Sequence, residues 1–286
     1  MILVDTNQVM ISNLMMQISA SKNNDIEEDL VRHMTLNSIR TYRSKFNERF
    51  GEIVLCYDNR KVWRREVFPN YKFNRKKDRE KSEHDWNLIF ETFTNIRSEL
   101  KEVFPYKVIE VEGAEADDII ATVVGDVNKR GGLEQVLILS SDKDFIQLQK
   151  HSFVKQYSPM TKKFVNGVNP LTYIKEHIIK GDRSDGIPNF LSPDNCFVDG
   201  LRQKPITKKK LNTWVELEPD EFCSNETILR NYQRNRTLID FDYIPEEIQT
   251  KIMKEFNKKP EGDRSKILNY FISKKLKNLI QDIGDF

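Results

Sequence analysis

Short apolar runs that stop at a carboxylate recur along this chain, and that recurrence constrains its fold more than any other feature. Met1-Ile2-Leu3-Val4 runs into Asp5, and Ile53-Val54-Leu55-Cys56-Tyr57 runs into Asp58. Lys107-Val108-Ile109-Glu110-Val111 leads through Glu112 and Gly113 to Glu115, Asp117 and Asp118. Val136-Leu137-Ile138 opens onto "LSSDKDF", which carries Asp142 and Asp144. Any one of these acids could cap the helix that follows. Capping does not account for the whole group.

Between the apolar runs, residues 26–46, 83–104 and 116–130 repeat apolar side chains at three and four, as amphipathic helices do. Gly51, Pro105 and Gly131-Gly132 are natural stops. Strand-helix alternation of this kind predicts an α/β fold: a mostly parallel central sheet with helices on both faces. A fifth strand is expected around 153–157. All strands of a parallel sheet point the same way, so acids at their C-terminal ends gather along one edge, where open α/β sheets bind ligands. So many carboxylates repel one another unless protons or cations intervene, and hard divalent ions with oxygen ligands are the economical solution.

The 286 residues carry a net charge of only +2, but its distribution is uneven. Between Arg60 and Lys81 ten Lys or Arg stand against three acids, a local balance of +7 that leaves −5 for the rest. A basic strip beside an acidic cluster suits a protein that holds a polyanion near bound cations. If the chain is helical from Tyr71 onward, Lys72, Arg75, Lys76 and Arg79 form one cationic stripe. Charged residues make up 31% and no run of eighteen apolar residues occurs, which excludes a helical membrane span. The first apolar run breaks at Asp5, too short for a secretory signal, so an intracellular protein is expected. Cys56, Cys196 and Cys223 are far apart and form no C-x-x-C, so neither a disulfide framework nor a zinc site is implied. The four histidines, at 33, 84, 151 and 177, read as surface or core residues rather than ligands.

Beyond residue 165 the pattern changes. Residues 170–180 read as a helix ending at Gly181, followed by "GDRSDGIPNF" with Asp182 and Asp185 three apart. Residues 244–257 and 266–280 are the clearest later helices. The expected division is therefore an α/β unit over 1–165, with a basic insert at about 59–82, and a helical unit over 166–286.

Taken together, "LVDT", "LCYDN", "GAEADD", "SSDKDF" and "GDRSD" resemble the successive metal-ligand motifs of the 5′ nuclease family, the flap endonucleases and related 5′-to-3′ exonucleases. "YKFNRKKDRE", "SPMTKKFV" and "LIDFDYIP" extend the likeness toward the ribonuclease H group of T-even bacteriophages. The resemblance implies a first metal near Asp5, Asp58, Asp117 and Asp142, with Glu115 close by, and a second near Asp144, Asp182 and Asp185. The ions would be two Mg²⁺, with Mn²⁺ able to substitute. Lys72 and Arg75 match the family's catalytic basic pair, acting beside Asp117 and Asp142. Arg64, Tyr71, Lys76, Arg79, Lys204, Lys208 and Lys209 are expected to touch nucleic acid, Tyr71 by stacking on a base.

The implied substrates are RNA/DNA hybrids, 5′ flaps and nicked or forked DNA. A single-stranded-DNA-binding protein and a sliding clamp are the implied partners. A monomer in the cytoplasm of an infected bacterial host completes the expectation. One departure stands out: the family usually follows its last aspartates with Asn-Ile-Pro-Gly and a Gly-rich helix-turn-helix that grips the duplex around a monovalent ion. Here Gly186-Ile187-Pro188-Asn189-Phe190 and "LSPDNCF" stand instead. Two rival enzyme folds lack support: a haloacid-dehalogenase-type phosphatase wants Asp-x-Asp where Asp5-Thr6-Asn7 stands, and a Toprim domain wants Glu there. A catalytically silent DNA-junction-binding module would be expected to have lost members of the acid set, and none is lost.

Overall fold

The computed structural model describes residues 1–20 and 26–286, the side chains of Ala20 and Lys76 excepted. Its centre is a six-stranded sheet in the order β3-β2-β1-β4-β5-β6. The strands are β1 (Ile2–Asp5), β2 (Ile53–Tyr57), β3 (Lys107–Glu110), β4 (Val136–Leu139), β5 (Val154–Ser158) and β6 (Lys163–Phe164). The first five are parallel, and β6 joins β5 antiparallel. The fifth strand falls where the sequence placed it. The two-residue β6 has too little sequence to announce itself.

The helices are α1 (Thr6–Ala20), α2 (Glu28–Phe50), α3 (Arg64–Val67), α4 (Phe73–Glu80), α5 (Trp86–Val103), α6 (Ala116–Lys129), α7 (Pro170–Lys180), α8 (Lys208–Trp214), α9 (Pro219–Phe222), α10 (Glu226–Ile239), α11 (Glu246–Phe256), α12 (Ile267–Ser273) and α13 (Lys277–Ile280). A 3₁₀ segment, Lys143–Lys150, follows β4. Residues 266–280 do not form the continuous helix expected of them. Lys275 adopts a left-handed backbone (φ 56°) that separates α12 from α13.

Strand alternation divides the apolar side chains between two layers. Ile2, Val4, Ile53, Leu55 and Leu137 face a core closed by α1, α2 and α5 and also by Tyr270 and Phe271 of α12 and Leu279 of α13. Leu3, Val54, Cys56, Val136 and Ile138 face the opposite core, closed by α6 and by Ile248 and Ile252 of α11. A third cluster joins the basic insert (Val62, Phe68, Tyr71) to Ile178, Phe190, Leu211, Tyr232 and Leu238. The C-terminal part therefore does not stand apart as one helical unit. Its middle packs under that insert, while α11, α12 and α13 return to the sheet, because their apolar faces complete the two layers that helices 1–6 leave open. Each such buried aliphatic side chain contributes about 1.5–3 kcal/mol.

Candidate active site

The chain runs outward from β1 to β2 and β3, then returns to place β4 on the other side of β1. The crevice beyond the C-terminal ends of β1 and β4 is thus the topological switch point. Asp5 ends β1, and its two oxygens accept from the Gln8 backbone (3.1 Å) and the Ser140 hydroxyl (3.0 Å). Asp58, one residue past β2, accepts from the Ala116 backbone at the start of α6 (2.8 Å) and from Asn7 (3.1 Å). Asp142 caps the 3₁₀ segment by accepting from the Asp144 backbone (3.0 Å). Asp117 lies in the first turn of α6.

These four carboxylates share one space, and their electrostatics say so. Burial and the neighbouring Asp58 push Asp5 up to about 7. Burial, Asp142 and Asp5 raise Asp117 well above the usual carboxylate range. Burial also raises Asp58, outweighing the nearby Lys72. A folded protein that packs acids this way stores repulsion that a divalent cation would relieve.

A second group lies beside the first. Asp144 and Asp182 face the imidazole of His177, with Asp144 Oδ1 3.2 Å from Nδ1 and Asp182 Oδ2 3.3 Å from Nε2. One donor atom from each of the three residues falls within 4.8 Å of the others, a spacing that could hold a metal ion. Burial and Asp142 push Asp144 up to about 7. Gly181 makes this arrangement possible. It ends α7 at φ 67°, and a Cβ there would lie 2.4 Å from the Ile187 carbonyl oxygen, so only glycine lets the chain turn Asp182 back toward the helix. His177 was not marked by sequence as a candidate. The signal available was its place on the helix that Gly181 ends, five residues before Asp182.

The basic insert closes over the acids, though not as a single stripe. Lys72 precedes α4 in a left-handed conformation (φ 56°), held by its N–H donating to the Asp185 carbonyl oxygen (2.8 Å). Its ammonium reaches Glu115 Oε1 at 2.5 Å and Asp185 Oδ2 at 3.5 Å. Arg75 donates to Asp185 Oδ1 (2.7 Å). Burial opposes the charge on Glu115, but Lys72 and Arg64 prevail and hold it down at about 2. Lys72 is correspondingly raised well above its ordinary value against its own desolvation, chiefly by Glu115, and stays protonated. Arg79 lies farther along α4, over the Phe90 ring (5.4 Å). The Lys76 side chain lies outside the described ones.

Two residues expected to touch nucleic acid are turned inward. Arg64 is 3% exposed, and its guanidinium is committed to Glu115 (2.9 Å), Asp118 (2.8 Å) and the Leu238 carbonyl oxygen (2.8 Å). Tyr71 is equally buried, its hydroxyl donating toward Glu115 and Asp185, both at 2.9 Å. Neither side chain is presented to a backbone phosphate or a base, because the acids of α6 and the third core draw them inward. Asp118, with Trp63 Nε1 at 3.2 Å, completes this buried network and the capping box of α6. Asp185 likewise sits with Lys72 and Arg75 rather than between Asp144 and Asp182. Lys204, Lys208 and Lys209 are exposed. Asn189 fixes the loop beneath Lys204 by donating to its carbonyl oxygen (2.8 Å).

The family model described as "5′-3′ exonuclease, N-terminal resolvase-like domain" matches residues 1–177, and that described as "T4 RNase H, C terminal" matches 170–286. The chain is 36% identical to the ribonuclease H of Enterobacteria phage T4, over 99% of this chain and 95% of that protein. It is 26% identical to a 5′-3′ exonuclease of Buchnera aphidicola, over 78% of this chain and 80% of the other. Its fold is similar to that of a bacteriophage T5 flap endonuclease solved as a pseudo-enzyme-product complex with DNA and metal ions. That match has a TM-score of 0.64 at 19% identity, over 89% of this chain and 96% of the other. With a family model spanning more than half its length, and its acids gathered at the switch point of the sheet, the chain belongs to the 5′-3′ exonuclease family of metal-dependent nucleases.

Proposed function

We propose that this protein is a Mg²⁺-dependent 5′-to-3′ exonuclease and flap endonuclease that removes RNA primers and adjoining DNA from 5′ ends during phage replication. The observation that carries the reading is the convergence of acids from separate stretches of chain beneath two cations of the basic insert, Lys72 and Arg75. The donor set fits hard divalent ions: Asp5, Asp58, Asp117 and Asp142 would hold an inner one, and Asp144 and Asp182, with Asp185 adjoining, an outer one. Ions held there would supply activation of the attacking water and stabilisation of the leaving oxygen. Mn²⁺ is the expected substitute for Mg²⁺.

The chain's own residues do the rest. Lys72 and Arg75, held over the acids by Glu115 and Asp185, would steady the charge that develops on the scissile phosphate. Arg64 and Asp118 keep Glu115 and the start of α6 in place. A duplex lies along the exposed Lys204, Lys208 and Lys209, contacts that read phosphates rather than sequence. Residues 166–240 form this duplex-binding part, with 1–165 the nuclease part. RNA/DNA hybrids, 5′ flaps and nicked or forked DNA are the substrates. A single-stranded-DNA-binding protein and a sliding clamp are the partners of a monomer working in the cytoplasm of the infected host.

A single gel tests this. An RNA primer and a DNA flap, each labelled at either end, should release short products from the 5′ end with Mg²⁺, and none in excess EDTA. Asp142→Asn should abolish cleavage while leaving DNA binding intact or tighter, since one charge facing the phosphates is gone. Degradation from the 3′ end, or cutting in EDTA, would overturn the reading. Tight binding without any cutting would favour a silent junction-binding protein.

A further inference from the structure

His177 is the one histidine that the fold brings to the acids. It is 14% exposed on the last turns of α7, edge-on to the Tyr173 ring at 5.6 Å. Both ring nitrogens look at carboxylate oxygens, Asp144 at 3.2 Å and Asp182 at 3.3 Å. Despite that short distance, Nδ1 is buried without an aligned hydrogen bond. A neutral imidazole has one N–H and one lone pair. In its neutral form, the one that ligates metals, the ring offers a lone pair from one nitrogen into the space it shares with the Asp144 and Asp182 carboxylates, where a cation would meet all three. Asp144, His177 and Asp182 place one donor atom each within 4.8 Å of the others.

We propose that His177 is a nitrogen ligand of the outer metal site. The proposal rests on the two-metal reading above and adds that the two sites differ in kind. The inner site offers carboxylate oxygens only, which suit Mg²⁺. The outer site offers two carboxylates and an imidazole, a mixed set that favours later first-row ions over Mg²⁺. The outer site therefore takes Mn²⁺ or Co²⁺ in preference to Mg²⁺, and a mixed pair, Mg²⁺ inside and Mn²⁺ outside, fills the protein when both ions are present.

The test uses full-length protein with Mn²⁺ added as the chloride, followed by electron spin echo envelope modulation. Unlabelled protein should show the ¹⁴N coupling of a directly bound imidazole. Protein grown on ¹⁵N-histidine should show ¹⁵N in its place, and His177→Gln should show neither. In an equilibrium titration, His177→Gln should weaken the outer Mn²⁺ site by about tenfold or more, at least what loss of an outer-sphere partner costs. Mg²⁺ binding should change by about threefold or less, since Mg²⁺ gains little from nitrogen. Bound Mn²⁺ with no histidine coupling overturns this inference and leaves the two-metal reading standing. No bound Mn²⁺ at all, or binding undiminished in Asp142→Asn and Asp144→Asn, overturns both.

Discussion

Lys72 concentrates the tension of the site in one residue. Its left-handed backbone costs a non-glycine residue about 1–2 kcal/mol, and its ammonium lies almost wholly inside, between Glu115 and Asp185. The surroundings hold it there: Tyr71 is anchored in the third core, and Gly186 brings its own backbone close to Asn70. A side chain held this firmly serves orientation more than affinity. Lys72→Ala should therefore lower kcat by about a hundredfold or more, with a smaller change in KM, read from steady-state cleavage of a 5′ flap. A rise in KM alone would make Lys72 a binding contact. The acids were legible in sequence because a strand end in a parallel sheet fixes where a side chain lies. Arg64 and Tyr71 were not, because a segment carrying ten cations reads as a solvated face, and nothing in it says that this arginine and this tyrosine turn inward.

Among the elements, α2, α5 and α12 meet at one carboxylate. Glu99 on α5 accepts from Arg32 of α2 (2.6 Å) and from the Tyr270 hydroxyl of α12 (2.7 Å), and Lys274 reaches it at 2.5 Å. Burial works against its charge, but Arg32, Lys274 and Tyr270 prevail and hold it below the ordinary glutamate value. A depressed carboxylate contributes stability above its unfolded pKa of about 4.3 and loses that contribution as pH falls through the folded value. Glu99→Gln should accordingly lower the unfolding free energy by about 1–3 kcal/mol at neutral pH. The gap to the unaltered protein should shrink in urea melts taken below pH 4, and a gap independent of pH would refute the assignment. The strongly periodic helices, such as α5, α6 and α7, were readable to within a few residues. The expected start of α2, at residue 26, came two residues early, and its end, at 46, four residues short. The first helix, α1, was missed altogether. It follows β1 with no intervening loop and buries Asn13 and Gln17 while exposing Met16, so its apolar period is blurred.

At the scale of the whole molecule, α12 and α13 belong to the sheet although they follow the helical part in sequence. Phe271 is fully buried against Phe104, Tyr270 and Phe286, on the sheet face that carries Ile2 and Leu55. Phe271→Ala should cost about 3–5 kcal/mol, seen as a lower Tm, with activity unchanged at temperatures where the variant remains folded. An activity loss at full folding would mean that this core does more than support the sheet. That return of the chain was invisible in sequence, since an amphipathic helix does not name the layer it will cover. The position of β1 carries one more consequence. Its neighbours on either side are β2 and β4, so Ile2 pairs with Ile53 early but must wait for Leu137, and the same face waits again for Phe271. On a ribosome, then, β1 is fully enclosed only after β4 and α12 have been made. A cutting site that draws Asp5 from the end of β1 and Asp142 from beyond β4 stays unfinished until both strands have been made.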